Sequence, residues 1–371
     1  MIYLDHAATS WPKPAAVLAA VQRWFTELGV SAARGDGPRQ AEVATLVDET
    51  RARLAAMTGV PAERVAFVSG ATEGLNLALR ALLQPGDRVV TTAVEHSSVA
   101  RVLHELGPTL QLQVAIVPLV GNRIHEAAVE HELALAPARL LVCSHASNVT
   151  GQVLDVARLC AAARRLGTRS LVDASQTAGH LDLRCGADGI VASAHKALLG
   201  PPGLGFVAAA AHLELPPQKF GGTGSSTALA EHPRRWPMAF EAGTPNTPAI
   251  CGLLAALRWR DQHPAHLALA AALAAADRLA NGLAALPGVR VVSCLDGPRV
   301  PIVSVVHERY DPSELAAILT GAGIETRSGH HCAPWVHAGL GTGAGGTLRL
   351  SPGEATTSAE IDAVLRLFAA L

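Results

Sequence analysis

Charged residues are scarce in this sequence, and neither sign dominates. They make up 16% of the 371 residues, against 49% hydrophobic residues, and the formal net charge is −1. This composition argues against disorder, because disordered chains combine many charges with few apolar residues. A basic block is also lacking, which argues against a nucleic-acid interface. A small-molecule substrate or a protein partner is therefore expected.

Long uninterrupted apolar runs are missing as well. A membrane-spanning helix needs about 20 predominantly apolar residues, and the most apolar stretch, 267–276, is alanine-rich and predicts a buried helix. The N-terminus lacks a basic region followed by an apolar stretch, so it is not interpreted as a signal peptide. We expect no membrane association.

Cysteines are few and none forms a Cys-x-x-Cys pair. The six are Cys143, Cys160, Cys185, Cys251, Cys294 and Cys332. Most are interpreted as small buried hydrophobes in strand or helix patterns, with Cys332 the only one outside such a pattern. This usage is typical of a reduced, cytoplasmic protein and not of a disulfide framework.

Strand and helix patterns alternate through residue 247, which predicts an α/β fold with a large, mostly parallel sheet and helices on both faces. Apolar runs such as LLVCS are typical of strands buried on both faces. The predicted strands are 65–69, 88–92, 113–118, 140–144, 170–173, 189–192 and 205–209. After residue 247, long alanine- and leucine-rich helices lead into an α+β pattern. We predict a large domain over 14–247 and a smaller α+β domain from 1–13 and 248–371.

The strongest chemical pattern is an acid and a lysine, each at the end of a buried strand. Asp173 lies in SLVDASQTAG and Lys196 in GIVASAHKALLG. Pyridoxal phosphate (PLP) requires a lysine for a Schiff base and an acid that keeps the pyridine nitrogen protonated. The alternative is a buried Asp–Lys ion pair. Ser193 and His195, placed before the lysine as phosphate ligands, favour PLP.

Further cofactor contacts are expected at other strand ends. SGATEGLN places Ala71 and Thr72 at a helix start, where backbone N–H groups bind phosphate; an ordinary N-terminal cap is the alternative. His96, in AVEHSSV, could stack on a cofactor ring, and Asn148, in HASNVTG, could bond its hydroxyl. The alternatives are a loop histidine and a turn-forming asparagine.

A loop near the C-terminus carries a candidate nucleophile. ETRSGHHCAPW contains Arg327, His330, His331 and Cys332, and the adjacent imidazoles and arginine would favour a thiolate. A zinc site is disfavoured, because adjacent residues rarely bind one ion together and no second pair follows at ligand spacing. An inert cysteine is the other alternative. Arg349, in GTLRLS, is expected to bind a substrate carboxylate, unless it is a surface arginine.

Together these motifs resemble the class V aminotransferase fold group and, within it, the cysteine desulfurase and selenocysteine lyase-like enzymes. The resemblance covers essentially the whole chain, in the right order: YLDHAATSWPKP, SGATEGLN, EHSSV, SNVTG, VDASQTAG, SAHK, FEAGTPNTPAI and RSGHHCAP. RSGHHCAP resembles the short catalytic-cysteine loop of the group II enzymes. The resemblance implies PLP-dependent transferase fold type I with a seven-stranded large sheet.

The resemblance also implies a role for each matching residue. Lys196 would hold PLP and act as base, and Cys332 would accept the substrate sulfur as a persulfide while L-cysteine becomes L-alanine. His96 would stack on the ring and pass a proton, and Arg349, with Asn148 and Arg327, would bind the substrate. The implied PLP ligands are Ala71, Thr72, His96, Asn148, Asp173, Gln176, Ser193, His195, Lys196 and, from the neighbouring subunit of a homodimer, Thr244. A sulfur-acceptor protein is a further expected partner.

Three features depart from the family pattern or mark a subgroup. His6 stands where an asparagine is usual, and the histidine that often precedes Arg34 is lacking. GGTGSSTALAEHP, at 221–233, resembles a less characterised desulfurase-like subfamily. Alternatives stay open: a selenocysteine lyase, C–S lyase, aminotransferase or epimerase in which Cys332 carries no sulfur, or a scaffold without activity.

Overall fold

The structure, a computed structural model, describes residues 1–32, 35, 37–224 and 230–371. The strands are β1 (Ile2–Tyr3), β2 (Val65–Val68), β3 (Arg88–Thr92), β4 (Gln113–Val117), β5 (Leu140–Ser144), β6 (Arg169–Asp173), β7 (Gly189–Ser193), β8 (Gly205–Ala209), β9 (Val289–Val291), β10 (Val303–His307), β11 (Ile324–Glu325), β12 (Arg327–Gly329) and β13 (Thr347–Leu350). The helices are α1 (Ala15–Arg23), α2 (Pro38–Thr58), α3 (Ala71–Leu82), α4 (Ser97–Leu110), α5 (Glu126–Leu135), α6 (Val156–Arg165), α7 (Thr247–Gln262), α8 (Ala265–Ala284), α9 (Pro312–Gly321), α10 (Val336–Leu340) and α11 (Ser358–Ala369), with a π-helical turn at Trp24–Leu28 and a 3-10 turn at Ala62–Arg64.

The large sheet has seven strands in the order β2-β8-β7-β6-β5-β3-β4. Only β8 runs antiparallel to its neighbours. Successive residues of one strand enter two different cores: Leu141 and Cys143 pack on one face, and Leu140 and Val142 on the other. Because strand side chains alternate, both faces are covered. The predicted α/β fold, with its mostly parallel seven-stranded sheet, is confirmed.

A smaller set of strands forms the second unit. Its antiparallel sheet has the order β12-β13-β10-β9, and β1 pairs with β11 beside it. A separate core joins α8, α9 and α11 to this sheet, with Leu279, Leu315 and Phe368 buried. Helix α7 packs instead against α1 and α2 of the large unit. The division at residues 247 and 248 stays a prediction.

Helix α8 is long and apolar enough to cross a membrane by length and composition alone. Its buried residues, including Ala276 and Leu283, pack in the small-unit core. A core helix passes the same length and composition test.

The cysteines differ from expectation in one respect. Cys185 and Cys294 lie outside helices and strands, so the interpretation of Cys332 as the only cysteine outside a regular element is wrong. Exposure distinguishes Cys332 instead, because the other five cysteines are buried or half-buried.

Candidate active site

The carboxyl ends of the large-sheet strands meet the small unit at a cavity of about 190 Å³. Parallel strands direct their C-terminal residues to one edge, where α/β proteins bind ligands. The cavity is lined by Ala7, Ala8, Ala71, Thr72, His96, Ser98, Ser144, Ala146, Asn148, Asp173, Ser175, Gln176, Ser193, His195, Lys196, Arg327, His331, Cys332 and Arg349. Apart from Thr244, the structure therefore brings every predicted site residue to one place.

Lys196 follows β7 and presents its side chain to this cavity. The residue keeps some accessible surface there, but protein surrounds the amine. That desolvation lowers the pKa of Lys196 to about 8, against the opposing effect of Asp173. A substantial fraction of the amine is thus neutral near pH 8, as a nucleophilic lysine requires.

The N-terminal segment fixes the backbone around Lys196. The carbonyl of His195 accepts hydrogen bonds from Ser10 N at 3.1 Å and Thr9 Oγ1 at 3.1 Å, and the Lys196 carbonyl accepts one from Ser10 Oγ at 2.8 Å. On the other side, a Cβ at Gly179 would approach the Ala197 backbone to 2.4 Å. Lys196 therefore sits on a loop held from two directions.

Asp173 ends β6 and is 6% exposed. Its Oδ1 accepts a hydrogen bond from Ser175 N at 2.9 Å, which orients the carboxylate toward the cavity it lines. Gln176 follows on the same turn, and its Nε2 donates to the Ala7 carbonyl at 3.0 Å. Gln176 thus forms part of the cavity wall with the N-terminal segment.

A second group of side chains surrounds the start of α3. Ser193 Oγ accepts a hydrogen bond from Ala71 N at 3.0 Å, and Thr72 Oγ1 lies 2.8 Å from Ser98 Oγ. The first N–H groups of a helix carry partial positive charge and bind anions. Hydroxyls and helix N–H groups therefore converge where a phosphate would fit.

His96 caps α4 through its own ring. Nδ1 accepts a hydrogen bond from Ser98 N at 3.1 Å and lies 2.8 Å from Ser98 Oγ. Burial lowers the pKa of His96, although Asp173 opposes this effect. Because Nδ1 accepts, the neutral ring carries its proton on Nε2.

Glu95 lies next to His96 and is fully buried. It accepts hydrogen bonds from Thr92 Oγ1 at 2.5 Å, Ser144 N at 3.0 Å and Ser144 Oγ at 2.9 Å. Burial raises the pKa of Glu95 to about 7 despite these bonds. Glu95 joins the end of β3 to the end of β5 and positions Ser144 at the cavity.

Arg349 is a buried side chain at 2% exposure, which excludes the alternative of a surface arginine. Nη2 pairs with Asp5 Oδ1 at 2.7 Å, and Nη1 donates to the Asn148 carbonyl at 3.2 Å. Its Nε is buried and has no hydrogen-bond partner among the described residues. An unsatisfied guanidinium N–H beside the cavity is suited to a carboxylate ligand.

The Cys332 loop, residues 330–334, is bound to the large unit through backbone carbonyls. Asn148 Nδ2 donates to the His331 carbonyl at 2.5 Å, and Ser97 N donates to the Cys332 carbonyl at 2.6 Å. His331 and Cys332 both have positive φ, 49° and 56°. Non-glycine residues seldom adopt this conformation, so the large-unit contacts help to hold a strained loop.

Arg327 is a cationic neighbour of the thiol, with Nη2 3.8 Å from Cys332 Sγ. The expected contribution of the His331 imidazole needs correction, and that of His330 stays a prediction. His331 Nε2 lies 2.9 Å from Thr347 Oγ1, and the His330 ring packs edge-on against His337 at 4.7 Å. Burial lowers the pKa of His331 to about 2, so this ring is neutral.

One predicted site residue lies outside this cavity. Thr244 is exposed and does not line it, and its contact with a neighbouring subunit stays a prediction. Arg34 and residues 225–229 of the 221–233 stretch lie outside the described residues. Within the described ranges there is no group of three or more His, Cys, Asp or Glu residues able to hold a metal ion.

Sequence reasoning missed several residues that shape the site. Ser98 and Ser175 line the cavity, and Asp5 pairs with Arg349. No sequence pattern indicated Ser98, because capping residues are normally Ser, Thr, Asp or Asn and here the cap is His96. The sequence around Asp5 has no local pattern that would indicate its role, because its partner Arg349 lies 344 residues away.

The residues present fit pyridoxal phosphate. The α3 start with Ser193 and Thr72 suits the phosphate, and Asp173 suits the pyridine nitrogen. Polar atoms that are buried without a partner remain at the cavity, including Ser175 Oγ and Arg349 Nε. A cofactor and a carboxylate substrate would satisfy such atoms.

The chain matches one protein-family model over almost its full length, the class-V aminotransferases, at residues 2–364. A probable cysteine desulfurase of Pseudomonas putida is 33% identical over 382 residues, covering 100% of this chain and 92% of that protein. Cysteine desulfurase CsdA of Escherichia coli is 29% identical, covering 98% and 92%. The chain spans 54% of the length of a 32% identical probable cysteine desulfurase of Mycolicibacterium paratuberculosis.

Solved structures show the same fold. The apo structure of a cysteine desulfurase from Thermococcus onnurineus superposes with a TM-score of 0.92 at 27% identity, covering 100% of this chain and 94% of that one. E. coli CsdA superposes with a TM-score of 0.87 at 27% identity, covering 98% and 93%.

Proposed function

Because the chain belongs to the class-V aminotransferase family, we propose that it is a PLP-dependent cysteine desulfurase, which converts L-cysteine to L-alanine and leaves a persulfide on Cys332. One observation carries the proposal. An exposed thiol on the small unit and a desolvated lysine on the large unit line the same cavity of about 190 Å³. Relatives over the whole chain length bear the name cysteine desulfurase.

The cofactor would be held by strand ends and the α3 start. The Ala71 N–H would hold Ser193 Oγ in place, and Ser193, Thr72 and His195 would bind the phosphate. Asp173 and Gln176 would contact the ring, and Lys196 the aldehyde carbon. His96 would stack on the ring, and Asn148 would bond the ring hydroxyl. Bound PLP supplies an electron sink for the carbanion next to the amino group.

The buried Arg349 would bind the substrate. Arg349 would bind the carboxylate of cysteine through its free Nε–H, while Asp5 and the Asn148 carbonyl fix its other nitrogens. Asn148 and Arg327 would complete this site. With its carboxylate held on two sides, the substrate cysteine would present its Cβ–S bond to the Cys332 loop.

Lys196 would move the substrate α-proton, since its pKa of about 8 makes the amine a base near neutral pH. Cys332 Sγ would then attack the substrate sulfur. An S–S bond forms as the C–S bond breaks, and its electron pair remains on the carbon that takes up a proton to become alanine. The His96 Nε2–H would serve in this proton transfer, and Arg327 stabilises the attacking thiolate.

Cys332→Ala tests this function. Purified enzyme is given L-cysteine, and alanine, free sulfide and protein-bound persulfide are measured. We expect wild type to form persulfide and alanine and Cys332→Ala to lose both. Cys185→Ala, at a half-buried cysteine that does not line the cavity, is the matched control.

Other outcomes favour the alternatives. Undiminished formation of pyruvate, ammonia and sulfide by Cys332→Ala would identify a C–S lyase, which eliminates sulfide and needs no sulfur carrier. Faster turnover of selenocysteine would favour a selenocysteine lyase, and formation of a keto acid that keeps its sulfur would favour an aminotransferase.

The partners are proposed on the same basis. The exposed Thr244 would reach the phosphate in a second copy of the chain, so the enzyme would be a homodimer with active sites at its interface. The exposed Cys332 would pass its sulfur to an acceptor protein. Sedimentation of the cofactor-loaded protein over a range of concentrations tests the dimer, and its cytoplasmic location stays a prediction.

A further inference from the structure

A second cavity, of about 660 Å³, lies behind the first. Ala7, Gln176 and Lys196 line both cavities, and the hydrogen bond from Gln176 Nε2 to the Ala7 carbonyl belongs to the wall between them. The proposed reaction uses only the smaller cavity. A volume of this size is typical of sites for small organic ligands.

Aromatic and aliphatic side chains form much of its surface. Two of the five tryptophans of the chain, Trp11 and Trp259, line it. The Trp259 ring stacks on His263 with 3.8 Å between centroids and 5° between planes. Trp11 is 48% exposed and Leu267 is 60% exposed, although both are large apolar side chains. Flat, partly open aromatic surfaces favour a planar ring as ligand.

Lys13, a cation of this cavity, has no acidic partner within the described residues. Lys13 Nζ donates to Ser10 Oγ at 2.6 Å and to the His195 carbonyl at 2.5 Å, which leaves its third N–H available. Burial lowers the pKa of Lys13 to about 8, so most of the amine is charged at neutral pH. Glu354, the acidic residue among the described lining, makes a two-point ion pair with Arg260 at 2.8 and 3.1 Å.

Other polar atoms of this region also lack partners. The Nδ1 of His180 and the Nε of Arg260 are buried without a hydrogen bond in the described part of the chain, and both residues line the cavity. Such atoms normally bind water or a ligand. The cavity therefore combines aromatic walls and the Lys13 ammonium group with lining residues, His180 and Arg260, that each bury one unsatisfied polar atom.

We propose that this cavity is a second binding site, which takes a small planar aromatic carboxylate with its ring against Trp11 and Trp259 and its carboxylate at Lys13. A ligand here presses on Gln176 and Lys196 from behind. If the proposed function holds, the ligand will also alter the absorbance of the bound cofactor, and the second cavity is then an effector site.

The test is isothermal titration of the purified full-length holoenzyme with 2-naphthoate. Ala270 and Ala271 are both exposed on α8, but only Ala271 lines the cavity. We expect one naphthoate per chain for wild type and Ala270→Trp, and binding weakened by about tenfold or more in Ala271→Trp, because the indole occupies the ligand space. Equal binding by the two variants, or none by wild type, overturns the proposal.

The charge is tested separately with 2-naphthylmethanol, a neutral analogue. Wild type should bind the carboxylate about tenfold more tightly than the alcohol, because a charge-assisted hydrogen bond is stronger than a neutral one. Lys13→Gln, which keeps a donor for the His195 carbonyl, should remove this preference and leave binding of the alcohol unchanged. A preference that survives in Lys13→Gln contradicts the assignment. Titration reports binding without turnover, so these results do not depend on the proposed desulfurase activity.

Discussion

Two regions meet at the smaller cavity, and they position their chemical groups in different ways. Asp173 and Ser193 end strands of the large sheet and are 6% and 9% exposed. Cys332 lies on a loop, is exposed and has a φ of 56°. The cofactor ligands thus sit on packed elements, while the thiol sits on a strained segment outside the core.

The difference fits what each region has to do. A cofactor stays bound through many turnovers. Packed strand ends already fix the residues that hold it, so little conformational entropy is lost at each turnover. A sulfur carrier must reach a substrate and then present the sulfur elsewhere, which a packed side chain cannot do. Positive φ at His331 and Cys332 costs about 1–2 kcal/mol per residue, and hydrogen bonds from Asn148 and Ser97 offset that cost.

Removing Lys196 tests the cofactor region and should have the largest effect. Lys196→Ala takes away both the attachment point and the base, so desulfurase activity should fall by about 10⁴-fold or more. The measurements are alanine formation and the amount of cofactor that stays on the protein after borohydride reduction and denaturation. Reduction should attach the cofactor covalently to wild type and not to the variant.

Lys196→Arg is the control for charge. It keeps a cation near Asp173 but cannot form the covalent link, so it should be as inactive as the alanine variant while the melting temperature changes little. If cofactor becomes covalently attached to either variant, the attachment point is another residue and the role assigned to Lys196 is wrong.

Arg349→Lys tests whether the substrate carboxylate is bound by this buried strand residue of the small unit and not by the Cys332 loop. A lysine keeps the charge near Asp5 but loses the planar, multi-point geometry of the guanidinium. We expect kcat/KM for cysteine to fall by about a hundredfold, mainly through KM, because losing one partner of a buried charged pair costs about 2–5 kcal/mol.

The matched control is Arg290→Lys, an exposed arginine on β9 of the same antiparallel sheet. It should leave KM unchanged. If Arg349→Lys lowers kcat with KM unaltered, then Arg349 acts on the reaction step and Arg327 becomes the better candidate for the carboxylate.

Much of the part of the site that lies on the large sheet could be predicted from the sequence, because its features are local. Buried strands such as LLVCS and SLVD end directly before polar residues, and parallel pairing brings those ends to one edge. Asp173, Ser193 and Lys196 follow from that rule alone. The predicted strands 88–92, 140–144 and 205–209 have the same bounds in the structure.

Contacts between distant segments could not be predicted in this way. The pair of Asp5 with Arg349 and the bonds from Ser10 to the Lys196 loop join residues more than 180 positions apart. The loop was the hardest part, because its geometry depends on the large unit. Adjacent histidines predicted imidazoles acting on the thiol, but Thr347 and His337 engage those rings, and Arg327 lies beside the sulfur.

Ser97→Pro tests the loop region and should have the smallest effect. Ser97 is the first residue of α4, and its N–H donates to the Cys332 carbonyl at 2.6 Å. Proline is well tolerated at the first helical position, and the preceding His96 has φ −67° and ψ 154°, which suits a following proline. The substitution therefore removes one contact of the loop and leaves the helix intact.

We expect persulfide formation on Cys332 to slow by about fivefold, because a single hydrogen bond contributes about 1 kcal/mol, with cofactor absorbance and cysteine KM unchanged. Ser358→Pro makes the same substitution at the first residue of α11, away from the cavity, and should leave all three unaltered. A matching loss of cofactor absorbance in Ser97→Pro would mean that the loop and the cofactor region are one rigid unit. Persulfide formation that slows alone would show that the large unit positions the thiol through the backbone of the Cys332 loop.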